Sequence, residues 1–119
     1  MAEESRLQSK ILKDLRSDKL APYVECFKVM KVSENGIPDV FFTTALTGAV
    51  FIEVKGPQGV PSPAQKYKIK RLNECGCKAF LVYNWEEWWK IKTDLGMMDY
   101  NFETLRNAHE DRKRMLSEP

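Results

Sequence analysis

GIPDVFFTTALTGAVFIEVKG, Gly36 to Gly56, sets two apolar segments either side of a turn. β-Branched and aromatic residues dominate both segments, and the intervening ALTG supplies turn chemistry, so the stretch predicts an antiparallel hairpin. Three charged residues interrupt the apolar runs: Asp39, Glu53 and Lys55. Residues two apart on a strand share a face. Glu53 and Lys55 therefore point the same way as Phe51, while Val50, Ile52 and Val54 point the other way. A short loop over Ala45–Thr47 pairs Thr44 with Gly48 and, counting outward, Asp39 with Glu53. Two carboxylates then stand opposite each other with Cβ atoms roughly 4.5–5.5 Å apart.

Carboxylates that close repel, so either a cation lies between them or one takes up a proton. Oxygen ligands of this kind suit Mg²⁺ or Mn²⁺. Lys55 cannot ligate a metal. It can orient or deprotonate a water, or offset charge on a phosphate. Acid, acid and lysine around one metal make a phosphodiester-cleaving constellation. The plainer alternative is a surface strand pair with a Glu–Lys contact. The apolar residues around Glu53-Val54-Lys55, and the Pro38-Asp39 at the paired position, favour the site.

Working outward, Glu3 to Leu15 reads as a helix whose apolar stripe is Leu7, Ile11, Leu12 and Leu15, with Glu4 on or beside it. SDKLAP breaks that helix, and Tyr23 to Val32 reads as a strand. GPQGVPSP is an irregular loop. Ser62 as N-cap, Pro63 at the first helical position and Gln65 placed for a capping box start a helix that runs to about Cys75. KAFLVYN is a buried-type strand, WEEWWKIKTDL a helix ending at Gly96, and about Phe102 to Leu116 a last helix. The order α-β-β-β-α-β-α-α predicts an α/β fold, a small mixed sheet flanked by helices. The expected organisation is a core domain over 1–96 with residues 97–119 as its C-terminal helical extension.

Composition narrows the function. A chain of 119 residues fits one domain. His109, near the C-terminus, is the only histidine, which argues against histidine-based nucleases and a Ser-His-Asp hydrolase. Cys26, Cys75 and Cys77 lack the partners for a zinc site and read as reduced thiols. No apolar run approaches the ~20 residues of a membrane span, and the polar start is not a secretory signal. The expectation is a cytoplasmic protein with no membrane partner and no organic cofactor. Net charge is only +2, yet Lys55, Lys66, Lys68, Lys70 and Arg71 make the middle of the chain basic, and Arg106, Arg112, Lys113 and Arg114 do the same near the end.

PDV and IEVK together match the P-D…(D/E)-x-K pattern of the restriction-endonuclease-like superfamily. The longer run from Glu4 to about Trp88 resembles the virus-type replication-repair nuclease domain, VRR-NUC. Its marks here are a leading helix with a Glu, then G-I-P-D, E-V-K-G, a helix opening S-P-A-Q, and a Gly followed by an apolar strand. The resemblance implies a restriction-endonuclease-like core. It implies metal ligation by Asp39, Glu53 and the Val54 carbonyl, completed by Glu4 on the leading helix, with Glu3 as the neighbouring alternative and Gln8 in support. It implies Lys55 as catalytic lysine and Gln65 beside the site, with Lys55, Gln65 and Lys66 facing DNA. Gln65 has a second reading, as the residue that closes the capping box with Ser62.

The activity implied is a Mg²⁺- or Mn²⁺-dependent DNA endonuclease. Likeness to stand-alone, virus-type members points to branched DNA, four-way (Holliday) junctions first, cut by a homodimer, and to a viral or mobile-element source. The alternatives are a flap, RNA or sequence-specific nuclease of the same fold, and a non-catalytic DNA-binding module. Trp85, Trp88 and Trp89 lie at i, i+3 and i+4 on one helix. They read as core, as a subunit contact extended by Met97, Met98 and Tyr100, or as a base-stacking platform; partial subunit contact is the expectation. The Arg112-Lys113-Arg114 helix is expected to be a solvated end.

Overall fold

The hairpin forms in the predicted register. In a computed structural model that describes residues 2–30 and 34–117, β2 (Val40–Thr44) pairs antiparallel with β3 (Gly48–Val54), with Thr44 opposite Gly48 and Val40 opposite Ile52. The turn closes because the Thr44 hydroxyl accepts the backbone N–H of Leu46 and of Thr47, while Gly48 takes a positive φ of 70°.

Helix α1 (Ala2–Leu15) precedes the hairpin, followed by a short edge strand, β1 (Glu25–Lys28), antiparallel to β2. After β3 the chain crosses over through α2 (Pro63–Glu74) and returns as β4 (Lys78–Val82), parallel to β3. Helix α3 (Trp85–Asp94), a single 3₁₀ turn (Asp99–Asn101) and α4 (Phe102–Ser117) complete the chain. The sheet has four strands in the order β1-β2-β3-β4. This is the mixed α/β architecture and element order the sequence predicts.

The first strand is shorter than expected. Only Glu25–Lys28 of the predicted Tyr23–Val32 pair as strand, and Lys31 and Val32 lie outside the described residues. The ladder ends because Lys28 faces Val40, the first residue of β2. One further bond follows, from the Val29 N–H to the Asp39 carbonyl at 2.6 Å.

Strand alternation sorts the sheet's two faces. Val40, Phe42, Val50, Ile52, Val54 and Val82 are fully buried against Ile11 and Leu15 of α1 and Trp88 of α3. Met97 and Leu105 join the same cluster. The opposite face carries Phe41, Phe51 and Glu53. There α2 is pinned to β4 by Asn73, whose side chain bonds both the N–H and the carbonyl of Ala79 at 3.0 Å. α2 begins with the predicted capping box.

The three tryptophans do not share one surface, which corrects the subunit-contact expectation for them as a set. Trp88 is wholly buried, edge-on to Phe42, and its indole N–H donates to Asp14 at 2.9 Å. Trp85 is half-buried and Trp89 is 44% exposed. The reason is angular: at 3.6 residues per turn the three span about 100°, with Trp88 at the edge that enters the core, Trp85 packed against the core's margin and Trp89 turned outward beside it. The C-terminal basic run is exposed, with Lys113 and Arg114 paired to Glu110 and Asp111 within α4.

Candidate active site

Asp39 and Glu53 reach one spot because each is held by a neighbouring strand. Asp39 ends a loop containing Gly36 and the buried Pro38. Gly36 has φ 83°, and a Cβ there would meet the Ala64 carbonyl oxygen at 2.4 Å. Only glycine lets this loop seat on the start of α2. The Asp39 carboxylate then accepts the Val54 N–H at 3.0 Å, just beyond the paired ladder. Val54 itself buries its side chain in the core.

Glu53 is 2% exposed. Its Oε2 accepts a hydrogen bond from Gln65 Nε2 at 2.9 Å, and Lys55 Nζ lies 3.5 Å from the same oxygen. Its Oε1 is buried without any hydrogen-bond partner. Glu4, from the first turn of α1, brings a third carboxylate. One oxygen each from Glu4, Asp39 and Glu53 lies within 4.8 Å of the others. Glu3, the alternative helix acid, is exposed and stands outside this group.

Gln65 meets both of its readings at once. Its Oε1 accepts the Ser62 N–H at 2.8 Å, closing the cap, and its Nε2 serves Glu53. The sequence presents these as alternatives because an amide's two ends can be assigned separately only with its surroundings known. Lys66, next in α2, is exposed. Gly59 escapes sequence reasoning altogether. A Cβ there would stand 3.1 Å from both Cβ and Cδ of Lys55, so the 56–59 turn lies against the lysine's stem. The glycine-rich loop after Lys55 is the available signal, but nothing in it says what the glycines approach.

The electrostatics follow from burial. Glu53 is pushed from 4.5 up to about 7, first by burial and then by the Asp39 charge, with Lys55 opposing. Asp39 is also raised, chiefly by burial, against the lowering effect of the Val54 N–H. Close, desolvated carboxylates with an unsatisfied oxygen are a donor set that a small hard cation could satisfy.

The VRR-NUC domain profile matches residues 1–85. A solved structure described as a VRR_NUC domain is similar to this chain with a TM-score of 0.61 and 26% identity, over 75% of this chain and 92% of its own. No curated protein matches the chain. The chain belongs to the VRR-NUC family, a family of nuclease-type DNA-processing domains. No helix among the described residues is long and apolar enough to cross a membrane.

Proposed function

We propose that the protein is a divalent-metal-dependent endonuclease that hydrolyses phosphodiester bonds in branched DNA, four-way junctions first. The observation that carries this reading is the convergence of Glu4, Asp39 and Glu53 within 4.8 Å, beside Lys55. The unpartnered Glu53 Oε1 gives the fit of Mg²⁺ or Mn²⁺ its physical basis, since a buried acceptor left alone costs roughly 1–3 kcal/mol. Glu4, Asp39 and Glu53 would hold the cation, with the Val54 carbonyl as the backbone ligand. When bound, the cation supplies Lewis acidity toward a phosphoryl oxygen and offsets the crowded negative charge.

The chain's own residues do the rest. Gln65 fixes Glu53 in one rotamer through Oε2, leaving Oε1 free. The Val54 N–H orients Asp39. Lys55, 15% exposed, holds or deprotonates the attacking water and stabilises charge developing on the phosphate. In-line attack by the water oxygen forms the new P–O bond and breaks the P–O3′ bond, and the departing 3′-oxygen takes a proton from solvent, leaving a 5′-phosphate and a 3′-hydroxyl. Lys66, exposed one residue after Gln65, contacts the DNA backbone. A homodimer would offer two such sites across a dyad to a twofold-symmetric junction.

Labelled four-way junction, flap and linear duplex, incubated with Mg²⁺, Mn²⁺ or chelator beside Lys55→Ala, test the proposal. Metal-dependent cutting of the junction, lost in the variant, is the expected result. Cutting that survives chelation overturns the metal's role, and a preference for flap or linear duplex overturns the junction assignment. Light scattering of the purified protein checks the dimer.

A further inference from the structure

Several exposed cations of α2, α3 and α4 are neutralised within their own helix, while Lys66, Arg106 and Arg112 have no ion-pair partner among the described residues. Lys70 and Arg71 pair with Glu74, Lys90 with Asp94, Lys113 with Glu110, and Arg114 with Asp111. Such pairs at i,i+3 and i,i+4 are the usual way a solvated helix balances its charge. In helix α1 none of the cations is paired among the described residues, and they share one face. Arg6, Lys10 and Lys13 have no ion-pair partner among the described residues, nor does Arg16 just past its end.

The acids of α1 are engaged elsewhere or set apart. Glu4 turns to the site, and Asp14 accepts from both Lys92 and Trp88. Glu3 precedes Arg6 by one turn without pairing to it, and Asp18 lies near Arg16 without pairing either. At 3.6 residues per turn, Arg6, Lys10 and Lys13 fall within about 60° of one another, and Glu4 lies about 160° away on the inner side. Ser5 and Ser9 border the same face, and shallow grooves run along it on both sides of Lys10 and Lys13. Lys10 is steered by Trp85, whose ring its ammonium overlies at 4.3 Å.

We propose that the outer face of α1 binds the phosphate backbone of a duplex DNA arm leading away from the cleavage site. The occupant follows from charge complementarity. Arg6 to Lys13 span about 10 Å along the helix axis, close to the axial rise of three phosphate-to-phosphate steps on one strand, at about 3.4 Å each. Hydroxyls at Ser5 and Ser9 are suitable neutral partners for the same oxygens. The proposal rests on the nuclease reading for the identity of the polyanion, and it adds a contact region on the side of α1 away from Glu4.

The test measures binding without cleavage. A fluorescein-labelled four-way junction is titrated in chelator over about 50–200 mM salt, the range where phosphate contacts change affinity most. The triple variant Arg6→Gln, Lys10→Gln, Lys13→Gln is compared with Lys90→Gln, Lys113→Gln, Arg114→Gln, an equal charge change at internally paired positions. The α1 triple is expected to lower the slope of log K against log salt by about 3, at about 0.9 per lost phosphate contact. The control triple is expected to lower it by less than about 1. The single variants, each expected to lose about 1, keep the question answerable should the triple misfold. Equal slopes in the two triples overturn the proposal, whether both match the wild type or both fall together through net charge. Wild-type protein that binds no junction overturns it as well. Metal-dependent cutting by the wild type, assayed in the same preparation, judges the nuclease reading separately.

Discussion

Glu53→Gln should make the metal-free protein more stable at pH 8 while destroying its site. The folded protein raises Glu53 to about 7 from 4.5, chiefly because burial and the Asp39 charge both disfavour the ionised form. Between those values the folded state holds a proton that the unfolded chain has released. Stability from this group is therefore fully present below about pH 4.5 and is lost as pH rises through about 7. At 1.36 kcal/mol per pH unit the loss is on the order of 3 kcal/mol. Glutamine keeps the shape and still accepts the Gln65 amide, but carries no charge to desolvate.

The variant should accordingly match the wild type near pH 4.5 and exceed it by about 3 kcal/mol at pH 8, or roughly 10 °C in Tm for a domain of this size. Urea unfolding in chelator at the two pH values, with m-values compared, reads the effect directly. A gain of the same size at both pH values would show that the benefit comes from packing and not from charge. A loss of stability at pH 8 would show that the Lys55 contact at 3.5 Å outweighs the desolvation, and the electrostatic account of the site would fall.

Metal affinity should rise about tenfold per pH unit below about 7 and level off above it, because the cation displaces the Glu53 proton; calorimetry in buffers of different ionisation enthalpy counts that proton. Lys55→Met should retain Mn²⁺ binding and lose on the order of 10²–10³ in single-turnover cutting, a cost typical of one transition-state charge contact. Gly36→Ala should weaken metal binding by pushing the 36–39 loop off Ala64, where a Cβ would meet the carbonyl oxygen at 2.4 Å; Mn²⁺ titration of the folded variant checks it. Trp88→Ala should cost about 3–5 kcal/mol, from its volume and from the Asp14 bond it leaves unmade, read by urea denaturation.

The hairpin register was legible because strand alternation and turn length leave one solution that buries Val40, Phe42, Val50 and Ile52 together. The capping box of α2 was legible because it is local, four residues bonding each other. What the sequence left open depends on contacts made far along the chain. Glu4 and Glu3 are equivalent by composition, and only the seating of α1 turns the fourth residue inward. The tryptophans differ by which of them faces Phe42, a partner more than forty residues earlier. The role of Gly59 against the stem of Lys55 has no periodic signature.

These long-range contacts also explain how a site this unfavourable to folding persists. Phe42 of β2 and Ile52 of β3, with Trp88 and Leu15 packed in the same cluster, are all buried on the core side of the strands that position Asp39 and Glu53. Burying an aromatic or aliphatic side chain contributes roughly 1.5–3 kcal/mol, so two such residues offset the desolvation and repulsion at the site. The rigid backing prevents the carboxylates from relaxing apart, and the Gln65 bond keeps Glu53 from swinging out to water. The metal-free fold loses the stability tied to the Glu53 proton as pH rises from about 4.5 to about 7, and a cation held between the acids would oppose that loss by pairing with the ionised carboxylates. A cation bound by the folded protein would add stability by mass action, as RT ln(1 + L/Kd) with L the free cation concentration, so Glu53→Gln, which removes one ligand and one buried charge, is expected to gain apo stability and to lose metal affinity together.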